Sequence, residues 1–209
     1  LQRTLDLDAL GERVLLAIQQ QLGCGAVALL APASEALDTD LVARQSRGDV
    51  EGVFSALELA HTSELRTLLA GLGRPVSRDA LVRFPELRDE LPAFVAAGAA
   101  LLVPLRHAQG IEAVIVCDDR RDGLPLLPAD LDALTAFAEL AASAFQNARR
   151  FRSQQDQTLR LLAERAASRK VSALAIAESA RWIEDAAERL ALPVRERGLL
   201  GHALRLSAW

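Results

Sequence analysis

Two apolar runs, Leu101 to Leu105 and Ile111 to Cys117, flank a short polar connection from Arg106 to Gly110, and this pattern predicts a β-hairpin over Ala99 to Asp119. Leu101, Val103 and Leu105 alternate with Leu102, Pro104 and Arg106, while Ile111 to Cys117 is β-branched at nearly every second position. Neither strand has a wholly polar face, so both faces are expected to be covered, one by helices and the other as the lining of a cavity. At about 1.5–3 kcal/mol for each such side chain buried, the hairpin is the main contribution to the core.

Ahead of the hairpin the period changes several times. Leu7, Leu10, Val14, Leu15 and Ile18 have helical spacing, which predicts a helix over Leu5 to Leu22 with Asp6 or Asp8 as cap and Gly23 and Gly25 at its end. Ala26 to Ala31 reads as a short buried strand stopped by Pro32; Leu41 to Gln45 reads as a second strand and Val53 to Leu59 as a third. Thr62 to Leu72 is a helix capped by Thr62 or Ser63 and broken by Gly71 and Gly73. A turn at Gly73-Arg74-Pro75-Val76 follows, then a helix of one or two turns opening at Phe84-Pro85 and running through Leu91. Pro92 to Ala97 leads into the hairpin.

Beyond the hairpin, 64 residues from Ala129 to Leu192 contain no glycine or proline, which predicts long helix. A seven-residue repeat runs through Leu131, Leu134, Ala138, Ala141, Phe145, Ala148, Arg152, Gln155, Leu159 and Leu162 and holds its phase to Leu190. Helices that pack along one another in a parallel dimer have this pattern, and Leu131 to Ala148 with Leu159 and Leu162 are the expected interface. Alanine-rich helices packing within one chain produce the same stripe. Interruptions are expected at Ser153 to Gln157 and Ser168 to Lys170, and a last helix is expected from Pro193 on.

Composition narrows the function classes. The chain has 209 residues, 51% of them hydrophobic, enough for one packed domain and an extension. A net charge of −4 gives no field to recruit nucleic acid or an anionic membrane, and no apolar run is long enough to span one, so a cytoplasmic protein is expected. The chain lacks methionine and stops at Trp209 within an apparent helix, so it is expected to be a piece of a longer protein. Cys24 and Cys117 stand alone in apolar runs, which predicts reduced, buried thiols. His61, His107 and His202 are not spaced as metal ligands; no metal or cofactor is expected. His61 stands where it could cap or gate, and His107 and the pair Asp118-Asp119 read as solvated turn residues. No nucleophile elbow, phosphate loop or catalytic triad order is present, so enzyme chemistry has no carrier here. Seven basic residues against two acidic between Arg149 and Lys170, without interleaved aromatics, read as a solvated helix face rather than a nucleic-acid site.

Taken together, the opening helix with Leu22-Gly23-Cys24, the Gly73-Arg74-Pro75-Val76 turn, Phe84-Pro85, Val103-Pro104-Leu105 with Gly110, and Leu131 to Phe145 ending in Asn147-Ala148 resemble the GAF domain of bacterial sensors over residues 1–150. The resemblance implies an α+β fold of GAF/PAS-like antiparallel sheet and flanking helices, with a pocket on one side and dimerisation through terminal helices. The family's layout places that pocket between the hairpin and the segment Arg78 to Phe94, with Phe84, Leu87, Leu91 and Phe94 as walls and Arg78, Arg83 and Arg106 as polar contacts for an unidentified small molecule. Closed packing of the same phenylalanines is the alternative. The cysteine-histidine attachment of bilin-carrying members and the signature of cyclic-nucleotide-binding members are absent.

Residues 151–209 read as a signalling helix and the start of an output module. Ala180 to Pro193 with Arg195 to Leu206 is weakly similar to the opening helices of HD-type phosphohydrolases, including those that cleave cyclic di-GMP. The metal-binding His-Asp pair of those enzymes falls here on Ser207 and Ala208. The expected function is a sensory or regulatory domain acting as a homodimer. The alternatives are the N-terminal part of a degenerate HD-type phosphohydrolase and a ligand-free dimerisation scaffold.

Overall fold

The computed structural model describes residues 7–34, 39–107, 110–168 and 173–192, with backbone alone at 165–168 and 173–180. The chain divides into two compact units, one ending at Ala148 and the other beginning at Arg149.

In the first unit the elements follow as α1 (Leu7–Leu22), β1 (Val27–Pro32), β2 (Leu41–Arg47), β3 (Glu58–Leu59), α2 (Glu64–Leu72), β4 (Val76–Ser77), α3 (Arg78–Leu81), α4 (Leu91–Ala96), β5 (Leu101–His107), β6 (Gly110–Cys117) and the start of α5 (Pro128–Ser168). The strands form one antiparallel sheet in the order β3-β2-β1-β6-β5-β4. β5 and β6 pair as the hairpin pattern requires, with Leu101 opposite Cys117, Val103 opposite Ile115 and Leu105 opposite Ala113.

Strand alternation sorts the core into two layers. Val27 and Leu29, Leu101, Val103 and Leu105, and Ala113, Ile115 and Cys117 pack with α1 and with Leu134 to Phe145 of α5. Ala28 and Leu30, Leu102, and Val114 and Val116 face the other way, onto α2 and the segment containing α3 and α4. Arg106 pairs with Ile111 although Leu105 pairs with Ala113, so Glu112 is an extra residue in β6. That bulge turns Ile111 onto the second layer.

Several sequence expectations need correction. Val53 to Leu59 is not one strand: Phe54–Ala56 is a 3-10 turn, and only Glu58–Leu59 pairs with β2. The Asp49 carboxylate accepts from both the amide and the hydroxyl of Ser55, at 3.0 Å each, which bends the backbone and drops Phe54 into the core. The helix expected from Phe84 through Leu91 is two pieces, a 3-10 turn at Pro85–Leu87 and then α4, which opens at Leu91-Pro92. Ser77 caps the additional helix α3, accepting the Ala80 amide at 3.4 Å.

α5 passes through Ser153 to Gln157 without interruption. Nothing there breaks a helix, and the Thr158 hydroxyl folds back to donate to the Gln154 carbonyl at 2.8 Å. In the second unit α6 covers Ala173–Arg189. The Gln155 side chain donates to the Leu190 carbonyl at 3.2 Å, and Ala187 and Leu192 are buried. Ala191 takes a positive φ of 52°, and the Leu192 amide returns to the Ala187 carbonyl at 2.9 Å, closing the helix end. Asp6, the hairpin tip at 108–109, the interruption at 169–170, His202, the helix from Pro193 and the positions Ser207 and Ala208 lie outside the described residues.

Candidate ligand-binding site

Over the second face of the sheet, α3, the Pro85–Leu87 turn and α4 form a cover of three short segments. Leu81, Leu87, Leu91 and Phe94 project from it into the same apolar cluster as Leu102, Val114 and Val116 of the sheet, and Phe84 packs partly buried against them. The four apolar residues expected as pocket walls, Phe84, Leu87, Leu91 and Phe94, are thus brought together.

The three arginines are not. Arg78 reaches the end of β6, with its guanidinium 3.7 Å from the Asp119 carboxylate and 3.8 Å from Asp79. Arg83 is exposed on the outside of the cover. Arg106 turns away to α2, where a Cβ placed on Gly73 would lie 2.7 Å from its Nη1. Gly73 is the left-handed cap of α2, with φ 59°, so Arg106 brings positive charge to the negative end of that helix dipole. Its place in the fold accounts for this charge without a ligand.

The contact that secures the cover was not foreseen. Ser63 caps α2, accepting the Arg66 amide at 3.1 Å, and is the buried polar residue of this region. Glu90, the residue before α4, lays its carboxylate on the same helix end, accepting from the Ser63 hydroxyl, from the Glu64 amide at 2.9 Å and from the Leu65 amide at 3.2 Å. The first amides of a helix lack partners within it and attract negative charge, so a carboxylate from the cover satisfies them. Ser63 was legible as a cap; Glu90, 27 residues away, was not.

The other residues singled out from sequence have structural places. His61 is exposed and donates its amide to Asp40 at 2.8 Å, with Nδ1 3.5 Å from the same carboxylate. The His61 amide holds the Asp40 carboxyl below its usual range. His107 is not a free turn residue: Nδ1 lies 3.0 Å from the Gln146 side chain on α5. Asp118 is half-buried and accepts the Gly25 amide at 2.7 Å, so it straps β6 to the start of β1 and is no solvated turn carboxylate. Cys24 and Cys117 are free thiols buried in the first layer, as their apolar runs predict. Among the described residues no group of three or more His, Cys, Asp and Glu side chains could hold a metal ion, and no helix is long and apolar enough to cross a membrane.

The stripe expected at a dimer interface divides. Leu134, Ala138, Ala141, Phe145 and Ala148 are buried, the first four in the first layer with Leu131 packed against them, so the sheet of their own chain takes up this part. Leu159 and Leu162 are half-buried in the second unit. The side of α5 left outside carries Ala133, Ala136, Leu140, Ser143 and Asn147, with Leu140 73% exposed.

The family profile of the GAF domain matches residues 6–145. The chain belongs to the GAF family. Solved structures agree in fold. A GAF domain/HD domain protein from Geobacter sulfurreducens superposes with TM-score 0.54 at 14% identity, covering 70% of this chain and 95% of its own. Residues 122 to 287 of a methyl-accepting chemotaxis protein superpose with TM-score 0.55 at 19% identity, covering 70% and 93%. The GAF-B domain of DevS from Mycobacterium smegmatis gives TM-score 0.50 at 21% identity, covering 73% and 99%. At these identities the likeness is one of fold. A search of curated proteins gave no match. GAF domains are sensory domains of signal-transduction proteins, and this GAF domain carries its short-segment cover on the sheet face away from α1 and α5.

Proposed function

We propose that residues 1–150 bind a small molecule beneath the cover and relay its presence through α5, working as a homodimer in a bacterial, cytoplasmic signalling protein, with residues 151–209 on the output side. The observation that carries this reading is the cover itself: short segments over an apolar face, with the Glu90 carboxylate, just before α4, laid on the start of α2. Such a segment opens at less cost than a long helix docked along its length, and lids are drawn from the less stable parts of a fold.

Phe84, Leu87, Leu91 and Phe94 are the proposed walls, which suits an apolar or aromatic ligand, and Arg78 at the rim would exchange Asp119 for an acidic group on it. β6 leads directly from this face into the linker to α5, so displacement of Val114 and Val116 is a route to the helix. The outer side of α5 around Leu140 is the proposed dimer contact, a small-residue strip that permits close approach of two helices. Native mass spectrometry of the purified chain tests both parts. A dimer carrying added small-molecule mass is the expected spectrum; a bare monomer at micromolar concentration would overturn the reading.

A further inference from the structure

α5 runs unbroken from Pro128 to Ser168, and between Pro128 and Arg152 its charges are segregated. Asp130, Asp132 and Glu139 stand at the amino end and Arg149, Arg150 and Arg152 at the other, with no charge of opposite sign in either group. The fold accounts for Asp130, whose carboxylate accepts the Leu127 amide at 2.9 Å and stands 3.6 Å from the Arg120 guanidinium. It does not account for Asp132 and Arg150. Both are exposed, and among the described residues neither takes part in an ion pair. They are 18 residues apart, about five turns of α-helix, so they lie on the same side of α5. That side flanks the exposed strip of Ala133, Ala136, Leu140, Ser143 and Asn147.

We propose that this strip takes the same strip of a second copy in antiparallel orientation, with Asp132 of each chain paired to Arg150 of the other. The proposal rests on the homodimer of the proposed function and gives it a direction, in place of the parallel packing expected from the heptad repeat. Parallel packing in register sets each level of a helix beside the same level of its copy. Arg150 would then come level with Arg150 and Asp132 with Asp132, and like charges brought together at an interface are unfavourable. Antiparallel packing about a two-fold axis midway between Asp132 and Arg150 forms the opposite-charge pair twice, once at each end. In that register Leu140 lies over Ser143 of the second copy and Ala136 over Asn147.

The faces left open on α5 agree with this. The stripe on which a long parallel coil would form is taken up within the chain, by the sheet for Leu134, Ala138, Ala141 and Phe145. From Gln155 on, α6 lies beside α5, with the Gln155 side chain donating to the Leu190 carbonyl at 3.2 Å and Leu159 and Leu162 half-buried. The outer strip between Asp132 and Arg150 is a short, self-complementary contact. Exposed ion pairs add little strength, so the pair sets the direction of packing while the strip supplies the contact, and the dimer weakens as salt rises.

The test uses two variants of the full chain at exposed positions, Ala136→Cys and Asn147→Cys, oxidised with copper phenanthroline and mapped by peptide mass. The antiparallel dimer predicts that neither variant links to its own copy, and that an equimolar mixture left to exchange subunits gives a disulfide joining positions 136 and 147. If either variant linked readily to its own copy, packing would be parallel, and the proposal would be overturned while the homodimer stood. If no link formed in a chain that sediments as a dimer, the contact would lie elsewhere and the proposal would again be overturned. A monomer at micromolar concentration would overturn the homodimer as well. Independently of cross-linking, Asp132→Arg should raise the dimer dissociation constant about tenfold at low salt. Adding Arg150→Asp to the same chain should restore it, because the reversed charges meet between copies; absence of that rescue would overturn the pairing.

Discussion

Glu90 accepts three hydrogen bonds at the start of α2, two of them from amides that have no partner inside the helix. Hydrogen bonds to a charged group contribute more than neutral ones, so Glu90→Ala is expected to cost about 1.5–3 kcal/mol, read as a fall in the urea midpoint at unchanged slope. Glu90→Gln should lose only part of this, because its amide oxygen still accepts. A second residue-scale outcome concerns acid. The Arg120 guanidinium, 2.6 Å from Asp122, and the Leu124 amide hold the Asp122 carboxyl down at about 2. The folded value lies below the unfolded one, roughly 3.9, so this contribution is present above pH ~4 and is lost as pH falls toward 2. A carboxyl carbon NMR titration should place the Asp122 midpoint near 2 in the native chain and move it up in Arg120→Ala. Ser63 could be read from sequence as a cap because capping is local; Glu90 and Asp118 could not, because each finds its partner only after segments far apart in sequence come together.

At the scale of elements, period was the reliable signal where one face decides it. The hairpin, α1, β1 and α2 could be read from alternation and helical spacing, because each buries a whole stripe of side chains. The pieces of the cover could not, since segments of three to six residues are too short for a period, and bonds such as Ser77 to Ala80 set their bounds. The α5 stripe shows a different limit. A heptad repeat records that a face is buried but not against what, and here the sheet of the same chain takes up Leu134, Ala138, Ala141 and Phe145. Leu134→Ala should therefore cost about 2–5 kcal/mol in chemical denaturation, as buried leucines do. Leu140→Ala, at a side chain 73% exposed, should leave the unfolding free energy of the monomer within about 0.5 kcal/mol of wild type. If the outer side of α5 makes the proposed dimer, the same substitution should raise the dimer dissociation constant in sedimentation equilibrium.

For the molecule as a whole, the sheet and its two layers place a rigid floor beneath a cover of short segments. A ligand can shift such a structure only through different affinity for its closed and open forms, so the sensory reading requires that the cover open without unfolding the sheet. Native-state hydrogen exchange measures this directly, since sub-global opening and global unfolding release different sets of amides. The account predicts that the α4 amides, with those of Glu64 and Leu65 at the start of α2, exchange together and well before Val103, Val114 and Ile115 at the centre of the sheet, and that Glu90→Ala hastens the first group while leaving the second in its later class. If the α4 amides exchanged only with those of β5 and β6, in a single cooperative event, the cover would be part of the core and the proposed ligand site would be contradicted.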